Sequence, residues 1–289
     1  MSLPEQMSQL VSAWVTTGDE AKEQPILDLL DTPEYRALPY AQRNKAFITS
    51  SKLKELQKCP YHARLRYEDG VEMGYEEPDY FLIGQAVDDY LTHGPKAFTD
   101  KYEVVARRSK DAEKFQLTNA TAATVNNAAT EYLSRDFFPK QPQKRNVIWL
   151  LHGMPCKAEL DHFDPETRRI GEIKTCASIT TFEPESYSLQ MGFYSYGIAK
   201  KWDERVEAEL YVLDKHSDWS RSHKWIFSAA TLQAQHYQVE QLVQQWKDCE
   251  ETGIWPHVPT DTDQGLRACW SSEFWSVCPF CKTASPTVL

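Results

Sequence analysis

The segment from Lys157 to Lys174 carries two carboxylates and an amine whose spacing could support hydrolytic chemistry. Asp161 and Glu172 lie on either side of a predicted turn, and Lys174 lies on the same predicted strand as Glu172. Because side chains alternate between the two faces of a strand, Glu172 and Lys174 share one face. Burying such a charged pair is costly unless the two groups are paired or bound to a metal ion.

Two carboxylates that converge on one point form a site suited to a hard cation such as Mg²⁺ or Mn²⁺. A neighbouring lysine can orient or deprotonate a water molecule, or neutralise charge that develops on a phosphate. Together these groups indicate hydrolysis of a phosphodiester. The alternative is an ordinary hairpin with an exposed Glu–Lys pair, which contributes little to stability on a surface.

Two strands and the turn between them must position these residues. The first strand, 154–163, is predicted to carry Asp161 near its end, and the second, 169–175, carries Glu172. The turn 164–167 contains a proline and two acidic residues, which stop the ladder and favour a reversal of the chain. Pairing of the strands about this turn brings Asp161 level with Glu172.

Helical and strand patterns alternate along the rest of the chain. The predicted helices lie at 81–91, 119–138, 184–201 and 229–251, and the predicted strands lie at 102–105, 146–151, 206–213 and 224–227. This order predicts an α/β fold in which a mixed central β-sheet is flanked by helices. Three regions are predicted along the chain: a helical N-terminal extension (1–47), a core (48–255) and a cysteine-bearing C-terminal tail packed on the core (256–289).

Composition and charge restrict the classes of function. The 289 residues carry a net charge of −10, which disfavours a simple basic protein that coats DNA but permits a local basic groove. No apolar run approaches the roughly 20 residues of a membrane span, so no contact with a membrane is expected. The N-terminus lacks the pattern of a signal peptide, and the seven cysteines then favour the cytoplasm and reduced thiols.

Five segments in this order resemble the RecB-type branch of the PD-(D/E)XK nuclease superfamily. They are Ser50-Ser51-Lys52-Leu53 through Cys59-Pro60-Tyr61, Gly84-Gln85-Ala86-Val87-Asp88, Asp161, Glu172-Ile173-Lys174, and Gln190-Met191-Gly192-Phe193-Tyr194. The resemblance covers roughly residues 48 to 255 and depends on the joint order and spacing of the segments. It implies a restriction-endonuclease-like sheet and a nuclease core.

Within this branch, the Pro33-Glu34-Tyr35 and Cys156-Lys157-Ala158 segments look most like the exonuclease VIII (RecE) nuclease domains of phages. That resemblance implies a metal-dependent exonuclease that degrades linear, double-stranded DNA during recombination or repair. It also implies a bacterial or phage-infected cytoplasm, DNA as the partner, a single-strand annealing protein as a further partner, and a homo-oligomer. CRISPR-adaptation nucleases and the nuclease domains of recombinational helicases are similar as well.

The resemblance assigns roles to individual residues. Asp161 and Glu172 would ligate Mg²⁺ or Mn²⁺, with the backbone carbonyl of Ile173 as a further oxygen ligand, and Lys174 would position the attacking water. The catalytic set also includes two residues of a predicted helix, Gln190 and Tyr194, which would steady the site or contact a DNA phosphate.

Two acidic residues near this set leave alternatives open. Asp88 stands where the family has a histidine ligand, and it either ligates the metal in place of histidine or no longer ligates. Glu159 shares a predicted strand face with Asp161, so it is either a further carboxylate of the site or an exposed strand residue. If ligation fails, the chain is a catalytically weakened nuclease fold that acts as a DNA-binding or interaction module.

Four cysteines raise a separate question. Some RecB-type nucleases hold a [4Fe-4S] cluster with one upstream and three C-terminal cysteines, a pattern that Cys59, Cys269, Cys278 and Cys281 resemble. Four thiolates suit either an iron–sulfur cluster or Zn²⁺, although the spacing here is not the usual one. The alternative is four ordinary reduced thiols. A cluster would favour a third function, a CRISPR-adaptation-type nuclease that trims DNA ends.

Overall fold

A mixed four-stranded sheet forms the centre of the protein, for which we describe a computed structural model over residues 1–38, 40–71, 79–108, 115–135, 144–215, 220–258, 274 and 277–280. The strands are β1 (Tyr102–Val105), β2 (Phe115–Thr118), β3 (Arg145–Leu151), β4 (Met154–Leu160), β5 (His162–Asp164), β6 (Arg169–Cys176), β7 (Glu207–Asp214) and β8 (Ser222–Phe227). The central sheet has the order β5-β6-β7-β8, in which β6 and β7 are parallel and the other pairs are antiparallel. β3 and β4 form an antiparallel pair, and β1 and β2 form a parallel pair.

The predicted strand 154–163 is two strands in the structure, because the chain breaks at Asp161 between β4 and β5. β5 pairs with β6 in the register that places His162 opposite Gly171, so Asp161 and Glu172 follow as the next pair. The backbone N–H of Ile173 donates to Oδ2 of Asp161 at 2.9 Å. The side chain of Asp161 therefore takes a backbone donor of β6 at the point where the strand is interrupted.

Ten helices surround these strands within the described part of the chain. They are α1 (Leu3–Thr17), α2 (Glu23–Leu30), α3 (Pro33–Arg36), α4 (Tyr40–Arg43), α5 (Ser50–Lys58), α6 (Pro60–Tyr67), α7 (Asp79–Lys101), α8 (Asn119–Ser134), α9 (Ser188–Trp202) and α10 (Ala229–Thr252). Thr49 begins α5 by accepting a hydrogen bond from the N–H of Lys52, and Gly253 ends α10 in the left-handed conformation. The α/β fold with a mixed, helix-flanked sheet is therefore confirmed.

Helix α7 extends well beyond the predicted segment 81–91. It runs on to Lys101 with a break at Gly94, whose φ of 79° only glycine adopts readily, directly before Pro95. The predicted helix is thus the first half of a kinked pair. The glycine–proline sequence marks a change of direction rather than the end of the helical region.

Helix α9 lies across the sheet and packs closely against β3 and α10. A Cβ added at Gly197 would lie only 2.5 Å from a ring carbon of Trp149, and one at Gly192 would lie 2.3 Å from Cβ of Gln235. Glycine is therefore required at both contacts, because any larger residue would force the neighbouring element away. These close approaches hold α9 against α10 at Gly192 and against β3 at Gly197.

The N-terminal helices form their own hydrophobic cluster against the outer strand β3. Met7, Trp14, Ile26 and Tyr35 are buried there together with Ile148 of β3. The helical character predicted for this region is confirmed, whereas the three-part division of the chain stays a prediction. None of the described helices is long and apolar enough to span a membrane.

Candidate active site

Glu172 lies in the middle of β6 and is only 3% exposed. Its Oε1 accepts a hydrogen bond from Nε2 of Gln190 at 2.6 Å and forms an ion pair with the ammonium group of Lys174. Its Oε2 is buried and has no hydrogen-bond partner among the described residues. A buried carboxylate oxygen of this kind costs free energy unless a cation or a donor satisfies it.

Asp161 lies beside Glu172 at the break between β4 and β5. Burial raises the pKa of the Asp161 carboxyl well above its usual range, and the negative charges of Glu172 and Asp88 raise it further. The ammonium groups of Lys144 and Lys174 act in the opposite direction without offsetting this shift. Two other carboxylates, those of Glu172 and Asp88, therefore lie near enough to Asp161 for their charges to act on it, as the pairing of the strands predicts for Glu172.

Asp88 reaches this point because α7 passes close to the end of β6. A Cβ at Gly84 would lie 3.2 Å from Oγ1 of Thr175, so a small residue is needed where the helix crosses the strand. Asp88 pairs with Lys144 and accepts a hydrogen bond from Thr92 at 3.3 Å.

The neighbouring residue Asp89 does not take part in the site. Its carboxylate accepts hydrogen bonds from Tyr102 and Lys101, each at 2.6 Å. Of the two adjacent aspartates, it is Asp88 whose charge acts on Asp161. Asp88, at the position where the RecB-type pattern has histidine, therefore contributes a negative charge that acts on Asp161.

Gln190 and Tyr194 lie on one face of α9, as their spacing predicts. Nε2 of Gln190 donates to Oη of Tyr194 at 2.8 Å as well as to Glu172. The amide therefore connects α9 to the central carboxylate of β6. The structure brings both helical residues to the site.

Lys54 also belongs to the site, although the sequence analysis did not identify it. Its Nζ donates to Oε1 of Gln190 at 3.1 Å and lies 4.7 Å from the ring centre of Tyr187. Burial lowers the pKa of Lys54 to about 8, and the charge of Lys174 acts in the same direction. The signal available in the sequence was its position within the segment from Ser50 to Tyr61, which resembles the opening segment of RecB-type nucleases.

Lys174 remains protonated in this environment. Burial acts to lower the pKa of Lys174, but the charges of Glu172 and Asp161 and the hydrogen bond to Glu172 outweigh it, so the pKa lies above its usual range. Its ammonium group is therefore a donor and a positive charge at neutral pH. It does not act as a base in this state.

The residues present fit a hard divalent cation. Asp88, Asp161 and Glu172 supply carboxylate oxygens, the ligands that Mg²⁺ and Mn²⁺ prefer, and Oε2 of Glu172 has no other described partner. The backbone carbonyl of Ile173 as a further ligand stays a prediction. Glu159 is exposed on β4, and its charge acts on Lys144 rather than on Asp161.

Only part of the predicted cysteine set lies within the described residues. Cys59 and Cys278 are both buried, at 1% and 0% exposed, while Cys269 and Cys281 lie outside the described residues. The four-cysteine cluster therefore stays a prediction. Histidines, which are not part of the predicted four-cysteine set, lie close to Cys59.

Comparisons with known proteins support the fold. The profile of a family described as a PDDEXK-like domain of unknown function (DUF3799) matches residues 49–263. No curated protein matches the sequence. A solved structure described as a "Putative exonuclease" from Eubacterium rectale matches with a TM-score of 0.63 and 16% identity, over 87% of this chain and 92% of that chain. The structure of SSO0001 matches with a TM-score of 0.38 and 13% identity, over 85% of this chain and 91% of that chain, which is too low a score to support an inference.

Proposed function

Since the chain belongs to this family of PDDEXK-like domains, we propose that it is a metal-dependent exonuclease that hydrolyses linear, double-stranded DNA in recombination or repair. The observation that carries the proposal is the convergence of Asp161, Glu172 and Lys174, with one oxygen of Glu172 buried and unpaired among the described residues. A family resemblance gives a nuclease core, and this arrangement supplies the groups that hydrolysis of a phosphodiester requires.

Asp88, Asp161 and Glu172 are the residues that would hold Mg²⁺ or Mn²⁺. When bound, such an ion supplies charge stabilisation at a phosphoryl oxygen and lowers the pKa of water. Gln190 fixes the orientation of Glu172 through a hydrogen bond of 2.6 Å, and Lys54 fixes the amide of Gln190 from its other side. The site is therefore oriented before the substrate binds. Because these side chains are already ordered in the folded protein, they lose little conformational entropy on binding.

Lys174 supplies a fixed positive charge beside the carboxylates. Because its pKa is raised by Glu172 and Asp161 against the effect of burial, it holds its proton at neutral pH. Such an ammonium group donates hydrogen bonds to the attacking water or to a phosphate oxygen. It also stabilises the negative charge that develops as the phosphodiester bond breaks.

The first test compares the wild type with Lys174→Ala on end-labelled linear duplex DNA and on a closed circle, with Mg²⁺ or Mn²⁺. We expect the wild type to degrade only the linear substrate and Lys174→Ala to lose at least about a thousandfold in rate, roughly 4 kcal/mol of transition-state stabilisation. Lys200→Ala is the matched control, because Lys200 is an exposed lysine on α9. We expect it to keep the wild-type rate.

Degradation by Lys174→Ala at the wild-type rate would contradict this mechanism. Cleavage of the closed circle would identify an endonuclease and contradict the exonuclease assignment. The label released first from the linear substrate gives the polarity. Circular dichroism of each variant shows whether a loss of activity comes from a loss of fold.

Because the pKa of Lys54 is lowered, we expect DNA binding to depend on pH. Its pKa of about 8, lowered first by burial and then by the charge of Lys174, means that its positive charge is present below pH 8 and lost above it. We expect the KM for DNA to rise as the pH passes through 8, and Lys54→Arg to keep the low KM because arginine stays charged. Binding measured at several salt concentrations should give a salt slope smaller by about 1 for Lys54→Met at pH 7.

Lys58→Met serves as the comparison, since Lys58 is exposed on the same helix α5. We expect it to keep the pH dependence of the wild type. A KM that rises identically in the wild type and in Lys54→Arg would show that another group titrates.

The ion pair between Lys144 and Asp88 favours a second candidate, a weakened nuclease fold that binds DNA without degrading it. Burial acts to lower the pKa of Lys144, but the charges of Asp88, Asp161 and Glu159 and the hydrogen bond to Asp88 raise it overall. Its ammonium group therefore competes with a metal ion for Asp88. This candidate predicts salt-dependent DNA binding without cleavage in the wild type, together with cleavage by Asp88→His.

A further inference from the structure

A second cluster of metal-binding side chains lies at the start of α6, apart from the carboxylate site. One ligand atom from each of Cys59, His62 and His257 lies within 4.8 Å of the other two. Cys59 is 1% exposed and His62 is 2% exposed, whereas His257 is half-buried. Nitrogen and sulfur donors gathered in a buried position are the set that a structural transition-metal site uses.

The local structure explains why Cys59 and His62 meet. Cys59 immediately precedes α6, Pro60 opens the helix, and His62 follows one turn after Cys59, so the two side chains lie on one side. The backbone N–H groups of Val258, His62 and Tyr61 lie near the sulfur of Cys59. Donors placed in this way stabilise a thiolate that is bound to a metal.

The segment that carries His257 is fixed to the same end of α6. The N–H of Tyr61 donates to the carbonyl oxygen of Pro256 at 3.2 Å, and the rings of His62 and His257 lie 5.4 Å apart at 76°. Nδ1 of His257 lies 2.6 Å from the carbonyl oxygen of Val258. A carbonyl oxygen only accepts, so Nδ1 donates this hydrogen bond, and Nε2 is the ring nitrogen that would ligate a metal ion.

A second thiol, that of Cys278, lies outside the group of three ligand atoms within 4.8 Å of one another but near enough for its charge to act on Cys59. Cys278 is fully buried, and its charge acts on Cys59. Its N–H donates to the carbonyl oxygen of Phe274 at 2.7 Å, and the ring of Phe274 lies 5.2 Å from that of His62. The C-terminal segment therefore packs against His62 and carries Cys278 on the side of the cluster.

We propose that Cys59, His62 and His257, with Cys278 as the fourth ligand, bind a structural zinc ion. Two imidazoles and two thiolates form the tetrahedral Cys₂His₂ set of zinc, whereas Mg²⁺ and Mn²⁺ prefer oxygen ligands. Zn–S bonds of about 2.3 Å and Zn–N bonds of about 2.0 Å place ligand atoms roughly 3.3 to 3.8 Å apart. The separations within 4.8 Å then need to contract by at most about 1.5 Å for Cys59, His62 and His257.

Zinc binding would displace the thiol protons of Cys59 and Cys278 and release them to solvent. The bound ion would connect three distant parts of the chain: the start of α6, the residues after α10 and the C-terminal segment. This inference does not depend on the proposed nuclease activity, because none of the four residues belongs to the carboxylate site. It differs from the predicted four-cysteine cluster in using two histidines and only two of those cysteines.

The experiment measures metal content and ligand type on the full-length protein. We expect about one zinc per chain after dialysis against buffer without metal, and no iron or acid-labile sulfide. Exchange of zinc for Co²⁺ should give the thiolate-to-cobalt charge-transfer band and the visible bands of a tetrahedral site. His257→Gln should lower the zinc affinity by more than about 100-fold, measured against a chromophoric chelator.

Matched variants separate ligation from general destabilisation. Cys278→Ser is expected to weaken the charge-transfer band and the zinc affinity, whereas Cys249→Ser, a buried cysteine of α10, and His223→Gln are expected to leave both unchanged. Thermal unfolding should show that EDTA lowers the Tm of the wild type and not that of His257→Gln. His257 is half-exposed, so this variant is expected to fold.

Three results would overturn the proposal. The first is a wild type that holds no zinc and gives no tetrahedral cobalt spectrum. The second is iron with acid-labile sulfide, which would indicate a cluster of thiolates alone. The third is a wild-type zinc affinity in both His257→Gln and Cys278→Ser, which would place the ion elsewhere.

Discussion

Replacing Asp161 by asparagine is expected to abolish activity and, at the same time, to raise the stability of the metal-free protein. Activity should fall at least about a thousandfold, because a neutral amide is a poor ligand for a hard cation. The metal-free unfolding free energy at pH 7 should rise by about 1 kcal/mol, in the range typical of relieved strain at functional sites. The amide oxygen can still accept the N–H of Ile173, so the local geometry is kept.

The direction of this change in unfolding free energy follows from the raised pKa of Asp161. Burial, Glu172 and Asp88 raise the pKa of Asp161 in the folded protein above its unfolded value, so the unfolded chain loses this proton first. Ionisation therefore destabilises the fold, and the metal-free wild type should lose stability as the pH rises above about 4, the ordinary pKa of aspartate. Asp161→Asn should remove this loss of stability because asparagine does not ionise. The ion pairs of Lys174 with Glu172 and of Lys144 with Asp88 remain in the variant.

Urea unfolding with and without Mg²⁺ checks both parts of this prediction. The ion should stabilise the wild type by preferential binding to the folded state and should leave Asp161→Asn unchanged. Asp89→Asn is the control, since Asp89 holds Tyr102 and Lys101 outside the site. We expect the control to lose stability and keep the response to Mg²⁺. An Asp161→Asn protein that is less stable and still responds to Mg²⁺ would refute the converging-carboxylate site.

Gly197→Ala is expected to destabilise the protein by about 1 kcal/mol, although alanine favours a helix more than glycine does. The helical preference contributes about 1 kcal/mol in favour of alanine. The added Cβ would lie 2.5 Å from the ring of Trp149, and overpacking of a core costs about 1 to 3 kcal/mol. Trp149 is 3% exposed and its ring packs 4.8 Å from that of Phe193, so we expect the cost of overpacking to be the larger effect.

A double-mutant cycle with Trp149→Leu measures this contact. Trp149→Leu alone should destabilise by leaving a cavity, but Gly197→Ala should cost at least about 1 kcal/mol less in that background. Because α9 also carries Gln190, a displaced helix should lower the rate of DNA degradation in the single variant. Additive costs in the two backgrounds would show that Trp149 does not limit the approach of α9.

The features that the sequence predicted are those set by local periodicity. The level pairing of Asp161 with Glu172 followed from a turn and two short strands, and the shared helix face of Gln190 and Tyr194 followed from their spacing. The mixed sheet followed from the order of helices and strands. The first two depend on residues that are close together along the chain, and the third depends on the order of the elements alone.

The features that the sequence did not predict depend on contacts between distant segments. Lys54 and Gln190 are 136 residues apart, and no local pattern indicates that they meet. The pairing of Lys144 with Asp88 and the approach of His257 to His62 depend likewise on how separate elements pack. The Cys-Pro-Tyr-His sequence is a signal for a pair of metal ligands, which the predicted four-cysteine set does not contain.

The parallel pairing of β6 with β7 has a consequence for the order in which the chain can fold. Parallel strands cannot be joined by a tight turn, and here the connection contains α9. A ribosome adds about 5 to 20 residues per second, so β6 emerges before the helix and the strand that cover it. Until both have emerged, Glu172 lacks Gln190 and the buried environment of the sheet. A nascent or truncated chain therefore lacks the assembled site, and under the proposed function the cell's own DNA is protected from incomplete copies of the enzyme.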